Sequence, residues 1–400
     1  MRIGMFLDMY KPYTSGVTNY ASINKAYLES LGHEVFVFTF GNRDYVDDEP
    51  NIYRSPAIAW GDTGWQLGLR PTHESRRLMA TLDVAHVQHP FLSGRIAIAH
   101  AHPHDIPIVF TNHTRYDLYS DTYAPWVPRE LRMAYLRSYL RRFARRIDAV
   151  IAPSGSIAEW LAEFGVTDDA IVLPNGVDTA PFRSPAQPRS RRSLGLPEDA
   201  VVFCYLGRVG EEKNIPLLVD AYCAAAEDTR AALLIIGDGP ARAQAEIRVA
   251  EAGLTERVQF AGLVPYADVP GYLAACDAFA TASVTEVHPL VVVEAMAAGL
   301  PVVGVRSPGI ADTIEDGLSG LLASEDASGL AAHMRRLATD EPLRKRLSQG
   351  AREASRRYDI SVTGARLLAE YERVIAEHRP RERTSRVSTA SAPGASGPDA

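Results

Sequence analysis

In the stretch TEVHPLVVVE, Thr285 to Glu294, two carboxylates stand eight positions apart around a His-Pro pair and an apolar run. Pro289 suits the first position of a helix and Gly299 its end, which predicts a helix over PLVVVEAMAAG (289–299). Glu286 then lies on the loop before that helix, and Glu294 lies between one and two turns inside it. The helix is apolar nearly all round, so a carboxylate within it needs a partner. Vicinal ribose hydroxyls are two donors that one carboxylate can hold together. Glu286 on the preceding loop can hold sugar hydroxyls, and the helix N-terminus between the two suits phosphate. The plainer alternative is an amphipathic helix with Glu294 in solvent.

A second cluster fits the same kind of ligand. In LGRVGEEKN (206–214) a strand ends, Arg208 follows, and Lys213 leads into a helix. Two cations near a helix N-terminus make a site for a diphosphate, although a solvated loop reads equally well from these two residues alone. GDGP (237–240), with Gly239, is a glycine turn between a strand and a helix, which any tight connection resembles. In the first half, DMYKPYTSGVTNY (8–20) sets Gly16 just ahead of a helix, where a backbone without side chain can approach a ligand. FTNHTRYDLY (110–119) ends a strand and offers His113, Tyr116 and Asp117, with Asp8 and His89 as further candidates. A lone histidine is more often structural; the strand-end position is what favours a role for His113.

These residues need elements to hold them. Short apolar runs alternate with helical patterns almost from end to end. RIGMFLD, EVFVFTF (34–40), VAHVQ (84–88), PIVFTN (107–112), AVIAPS (149–154) and AIVLP (170–174) read as strands, with helices over 17–31 and 129–146. A second series runs through VVFCYLG (201–207), ALLIIGDG (232–239), RVQFAG (257–262), DAFATAS (277–283) and PVVGV (301–305). Near-continuous apolar strands separated by helices mean parallel sheets covered on both faces. The expectation is an α/β fold of two Rossmann-like, doubly wound parallel-sheet domains facing a cleft. The first spans 1–178, a linker 179–199, and the second 200–358. A last helix over 359–378 packs back on the first domain, and a disordered tail covers 379–400. Ligands of open parallel sheets bind beyond the carboxyl ends of the strands, so the cleft between two such domains is the place to look.

Taken together, E-x7-E, the LGR…EEK loop, GDGP and EAMAAGLPVV resemble the retaining glycosyltransferases of the GT-B fold in family 4, up to about residue 375. The resemblance implies that Arg208 and Lys213 hold the donor diphosphate, Glu294 the nucleotide ribose and Glu286 the transferred sugar. The SGV loop at Gly16 is similar to the family's GGV loop, with Ser15 in place of one glycine. His113 matches a family histidine that bonds the donor sugar near the reacting carbon. Where the family often has glycine this chain has Pro289, which brings no N–H. The remaining donor contacts then fall to the backbone of Leu290 and Val291, with one from His288. Asp8, Tyr116 and Asp117 are assigned to the acceptor side. The implied mechanism is front-face displacement with retention, in which charge on the leaving diphosphate is met by Arg208 and Lys213. No Asp-x-Asp pair is present, and neither a metal nor a cofactor beyond the nucleotide sugar is expected.

Composition narrows the partners. Hydrophobic residues make up 46% and charged residues 23% of 400, as in a soluble globular chain, and a net charge of −7 argues against nucleic acid. Cys204, Cys223 and Cys276 have no metal-ligand spacing and read as thiols of a reducing compartment. No signal peptide or membrane span is expected, which points to the cytoplasm, with peripheral attachment to a membrane. RELRMAYLRSYLRRFARR (129–146) carries seven arginines against one glutamate, and WGDTGWQLGLRPTHESRR (60–77) sets Trp60, Trp65, Leu67 and Leu69 beside Arg70, Arg76 and Arg77. Basic and aromatic residues together suit an anionic membrane surface and a lipid acceptor. HTRYDLY and the overall layout also resemble bacterial diacylglycerol glucosyltransferases and phosphatidylinositol mannosyltransferases. UDP-glucose is the first expectation for the donor and diacylglycerol for the acceptor. The alternatives are a family-4 transferase with a soluble or polysaccharide acceptor, a nucleotide-sugar 2-epimerase that transfers nothing, and a non-catalytic binding protein.

Overall fold

A computed structural model describes residues 1–379 apart from 14, 42–43, 60–65, 69 and 124–125. Apolar runs without polar alternation form strands buried on both faces, as parallel sheets require. In the first half these are β1 (Arg2–Phe6), β2 (Glu34–Phe40), β3 (Ile52–Ser55), β4 (Val84–Val87), β5 (Ile108–Thr111), β6 (Ala149–Ala152) and β7 (Ile171–Val172). They pair in parallel in the order β3-β2-β1-β4-β5-β6-β7. The second half forms β8 (Val201–Leu206), β9 (Ala231–Ile236), β10 (Val258–Gly262), β11 (Ala278–Thr281), β12 (Val302–Val305) and β13 (Gly320–Ala323). Their order, again all parallel, is β10-β9-β8-β11-β12-β13. The chain changes direction across the sheet at β1/β4 and at β8/β11. Crevices open beyond the carboxyl ends of those strands, and the candidate residues sit there.

Four helices matter for the site: α1 (Gly16–Ser30), α2 (Arg129–Ala144), α3 (Leu290–Ala297) and α4 (Ile360–Glu377). Ser15 caps α1, its hydroxyl accepting from Thr18 N–H at 3.1 Å. Asp359 caps α4 through Ser361 N–H at 3.0 Å, and α4 then crosses back to the first sheet. Its Leu367, Tyr371 and Val374 lie in one core with Ile3, Met5 and Val35. The Tyr371 hydroxyl meets His86 Nδ1 at 2.6 Å, and the other ring nitrogen of His86 meets Thr111 Oγ1 at 2.7 Å. Burial pulls the His86 pKa down to about 3, so this buried ring stays neutral.

Both passages between the two sheets run side by side. Val177 N–H donates to Tyr358 O at 2.9 Å, and Ile360 N–H donates to Val177 O at 2.9 Å. The segment 179–199, expected as a linker, is built into the second domain: Phe182 and Leu196 are buried in its core. A polar stretch with two large apolar side chains lowers its free energy by packing them. The domains also meet where Ser156 N–H, in the helix Gly155–Glu163, donates to Asp312 Oδ2 at 3.0 Å. The residues 60–65 and 69 of the expected aromatic loop, and the expected tail beyond 379, lie outside the described residues. Among the described residues no helix is long and apolar enough to cross a membrane.

Candidate active site

β8 and β11 are neighbours in the sheet, so the loops that leave them are neighbours too. Lys213 closes a single turn, Glu211–Lys213, on the first loop, and Glu286 lies on the second. Lys213 Nζ donates to Glu286 Oε1 at 2.6 Å. Burial opposes ionisation of Glu286, but the Lys213 ammonium outweighs it and holds the carboxyl below its usual range. The two residues that the resemblance assigns to diphosphate and sugar therefore hold each other here. Arg208 lies on the same loop as Lys213 with its guanidinium largely exposed, Nε 3.6 Å from Glu212 Oε1.

α3 begins one residue later than the sequence predicts. Pro289 is the residue before the helix, at φ −76° and ψ 109°, rather than its first helical residue. Intrahelical bonding starts with Val292 N–H to Pro289 O at 3.1 Å. The N–H groups of Leu290 and Val291 precede it and are left for an outside acceptor, as at any helix start. Glu294, one turn in, is buried at 1% exposure. Its Oε1 accepts from the Tyr266 hydroxyl at 2.8 Å. Burial raises its pKa to about 7, with the Tyr266 hydrogen bond pulling the other way. Tyr266 carries no signal in the sequence: it lies 28 residues from Glu294, on the loop after β10.

The ring of His288 packs edge-on against Tyr358 at 5.0 Å. Burial lowers its pKa to about 4, and neither ring nitrogen has a hydrogen-bond partner among the described residues. Its carbonyl accepts from Asn175 Nδ2 at 3.3 Å, and the adjacent Val287 is buried among apolar side chains of the first domain. The Glu286 loop therefore spans the cleft. The glycine turn after β9 has a packing explanation. A Cβ on Gly239 would lie 2.4 Å from Val209 O, and one on Gly237 1.9 Å from Gly207 O. The turn lets the 237–239 backbone rest on the Arg208 loop. At Gly16, by contrast, a Cβ would meet open space.

Across the cleft, His113 Nε2 lies 2.7 Å from Gln88 Oε1, and its ring sits 4.7 Å from that of Tyr20. Burial drives its pKa well below the usual value, so the ring is neutral. The amide oxygen of Gln88 only accepts, which puts the proton on Nε2 and leaves Nδ1 as acceptor. Gln88, the residue after β4, is a partner that sequence spacing gives no reason to single out. Asp8 is buried, with Oδ1 accepting from Ser93 N–H at 2.7 Å and its own N–H donating to His89 Nδ1 at 3.2 Å. Both residues thus brace the start of the helix Leu92–Ala101. Tyr116 packs edge-on against Phe91 at 5.1 Å, and its buried hydroxyl has no partner among the described residues. Asp117 is paired with Arg115 at 2.7 Å.

On the outer face of the first domain, α2 turns Leu136, Leu140 and Phe143 inward. Leu131 and Tyr135 are exposed at 63% and 64%, and Trp126 just before the helix at 78%. Arg129, Arg137, Arg141, Arg142, Arg145 and Arg146 are exposed on and beyond the same helix, as are Arg70, Arg76 and Arg77 nearby in sequence to the aromatic loop. Among the described residues no group of three His, Cys, Asp or Glu is placed to hold a metal ion.

The chain matches two family models, "Glycosyltransferase Family 4" over residues 14–181 and "Glycosyl transferases group 1" over 186–354. It is 29% identical over 333 residues to the alpha-monoglucosyldiacylglycerol synthase of Streptococcus pneumoniae, covering 80% of this chain and 75% of that one. It is 31% identical over 311 residues to the D-inositol 3-phosphate glycosyltransferase of Xylanimonas cellulosilytica, covering 74% and 73%. The solved structure of Anabaena Alr3699/HepE with UDP-glucose superposes with a TM-score of 0.72 at 19% identity, covering 93% of this chain and all of that one. The two parallel sheets, the strand-end loops that meet across one cleft and these matches lead to one conclusion: the chain belongs to the family-4, group 1 glycosyltransferases of the GT-B fold.

Proposed function

We propose that the protein transfers glucose from UDP-glucose, with retention, to a diacylglycerol-type lipid at an anionic membrane surface, using no cofactor besides the nucleotide sugar. The observation that carries the reading is the Lys213–Glu286 pair at 2.6 Å, with exposed Arg208 on the same loop as Lys213. An ammonium and a carboxylate that neutralise each other at the mouth of two strand-end loops can exchange partners, Lys213 for a phosphate oxygen and Glu286 for sugar hydroxyls. Arg208 and the N–H groups of Leu290 and Val291 at the start of α3 add to the anion site. In the step itself the bond from the anomeric carbon to the diphosphate breaks. The acceptor oxygen bonds to the same face, and its proton passes to the departing diphosphate. Arg208 and Lys213 stabilise the charge that develops there. His113, neutral and accepting through Nδ1, takes a hydroxyl proton of the sugar as a hydrogen bond.

The lipid side is supported by the exposed Trp126, Leu131 and Tyr135 among arginines, and by relatives named for glucosyldiacylglycerol synthesis and phosphatidyl-myo-inositol mannosyl transfer. The test is incubation of the purified protein with a panel of nucleotide sugars, with and without vesicles containing diacylglycerol and anionic lipid. An α-glucosyl lipid formed from UDP-glucose is the expected product. Transfer to a soluble acceptor alone, or donor turnover indifferent to lipid, overturns the acceptor assignment.

A further inference from the structure

Glu294 is buried, yet among the described residues its hydrogen bond is to a single side chain, the Tyr266 hydroxyl at 2.8 Å. A carboxylate offers about four lone-pair positions, and a buried one left unpaired is costly. Tyr266 is an unusual partner for it. The residue is 37% exposed and opens the short turn Tyr266–Asp268 on the loop after β10, which leaves the carboxyl edge of the sheet where nucleotides bind. The ring stands edge-on to the buried Phe182 at 6.3 Å, so the partly exposed side chain lies at the rim of the core rather than inside it. A phenol hydroxyl donating into this pocket does what one hydroxyl of a ribose would do.

We propose that Tyr266 is a donor-side affinity residue: with the site empty its hydroxyl stands in for the ribose diol on Glu294, and a nucleoside diphosphate must displace it to bind. This rests on the reading of Glu294 as the ribose-holding carboxylate. The exchange is favourable because two ribose donors replace one phenol donor, and it is readily reversed because the phenol remains tethered nearby. Tyr266 therefore weakens binding of the nucleotide while keeping the empty pocket satisfied. It helps the spent nucleoside diphosphate to leave.

The test compares wild type and Tyr266→Phe by calorimetric titration with UDP and with 2′,3′-dideoxy-UDP, the guanosine pair being run alongside. Tyr266→Phe removes the competing donor and keeps the ring. It is expected to tighten UDP binding about tenfold, the size of one hydrogen bond to a charged acceptor, and to leave dideoxy-UDP unchanged, because that ligand never displaces the phenol. Equal changes for both nucleotides, or weaker UDP binding in the variant, overturn the proposal. If wild type binds the ribo and dideoxy forms equally well, or binds none of the four, the ribose role of Glu294 fails instead.

Discussion

Lys213 and Glu286 show how much one short contact decides. The Lys213 ammonium keeps a half-buried carboxylate ionised, and both are then available to a ligand of matching charge. Lys213→Ala should cut kcat by about 100-fold or more, the scale of losing one preorganised charge at a leaving group; near-normal turnover rules out that role. Glu294 gives a prediction about stability. Its folded pKa of about 7 lies above the 4.5 of the free group. The stabilisation from its proton is thus fully present below pH 4.5 and is lost as pH rises through 7. At about 1.4 kcal/mol per pKa unit the effect is roughly 3 kcal/mol at most. Denaturant melts should show the empty wild type losing stability between pH 4.5 and 7.5, while Glu294→Gln stays flat over that range. Parallel curves contradict the assignment. The types and spacing of Glu286, Glu294, Arg208 and Lys213 were legible because a buried acid in an apolar helix and paired cations at a helix start stand out in one dimension. Tyr266 and Gln88 were not: each meets its partner only when segments 25 to 28 residues apart in the chain are folded together, and nothing local to either residue announces its partner.

At the level of elements, apolar runs predicted eleven of the strands to within three residues at either end. Among the described residues the short antiparallel pair Ala57–Ala59 and Gln66–Gly68 escaped, and so did β3 and β13, edge strands of four residues each. β3 is only half-buried, and β13 follows a turn that interrupts its apolar pattern. The helix over 289–299 was placed correctly but begins after Pro289, whose ψ of 109° is extended. The glycine turn at 237–239 is where element packing and function meet, since it lets the β9 loop support the Arg208 loop. Gly237→Ala would combine a left-handed φ of 135° with a carbonyl 1.9 Å away. It should cost roughly 2 kcal/mol or more and lower the affinity for UDP along with the melting temperature. Gly16→Ala, with open space before it, should leave the melting temperature unchanged and raise KM for the donor. The reverse pattern would mean that Gly16 is the structural glycine and Gly237 the binding one.

The whole molecule places its candidate site in a cleft and a group of exposed arginines along α2 of the first domain. If α2 and Trp126 rest on lipid, binding to anionic vesicles should weaken as salt rises from 0.05 M to about 0.5 M, because screening shortens the reach of surface charge. Leu131→Ser with Tyr135→Ser should remove the residue of binding that salt leaves. Salt-independent sedimentation with vesicles would contradict the basic face. The two passages of the chain between the lobes, joined at Val177 and Ile360 by backbone hydrogen bonds, have a mechanical consequence. A pair of covalent straps laid edge to edge acts as a single pivot, so opening and closing amount to a swing about one axis. A protease cut at either strap would leave the halves tethered by the other, still able to shut on a substrate.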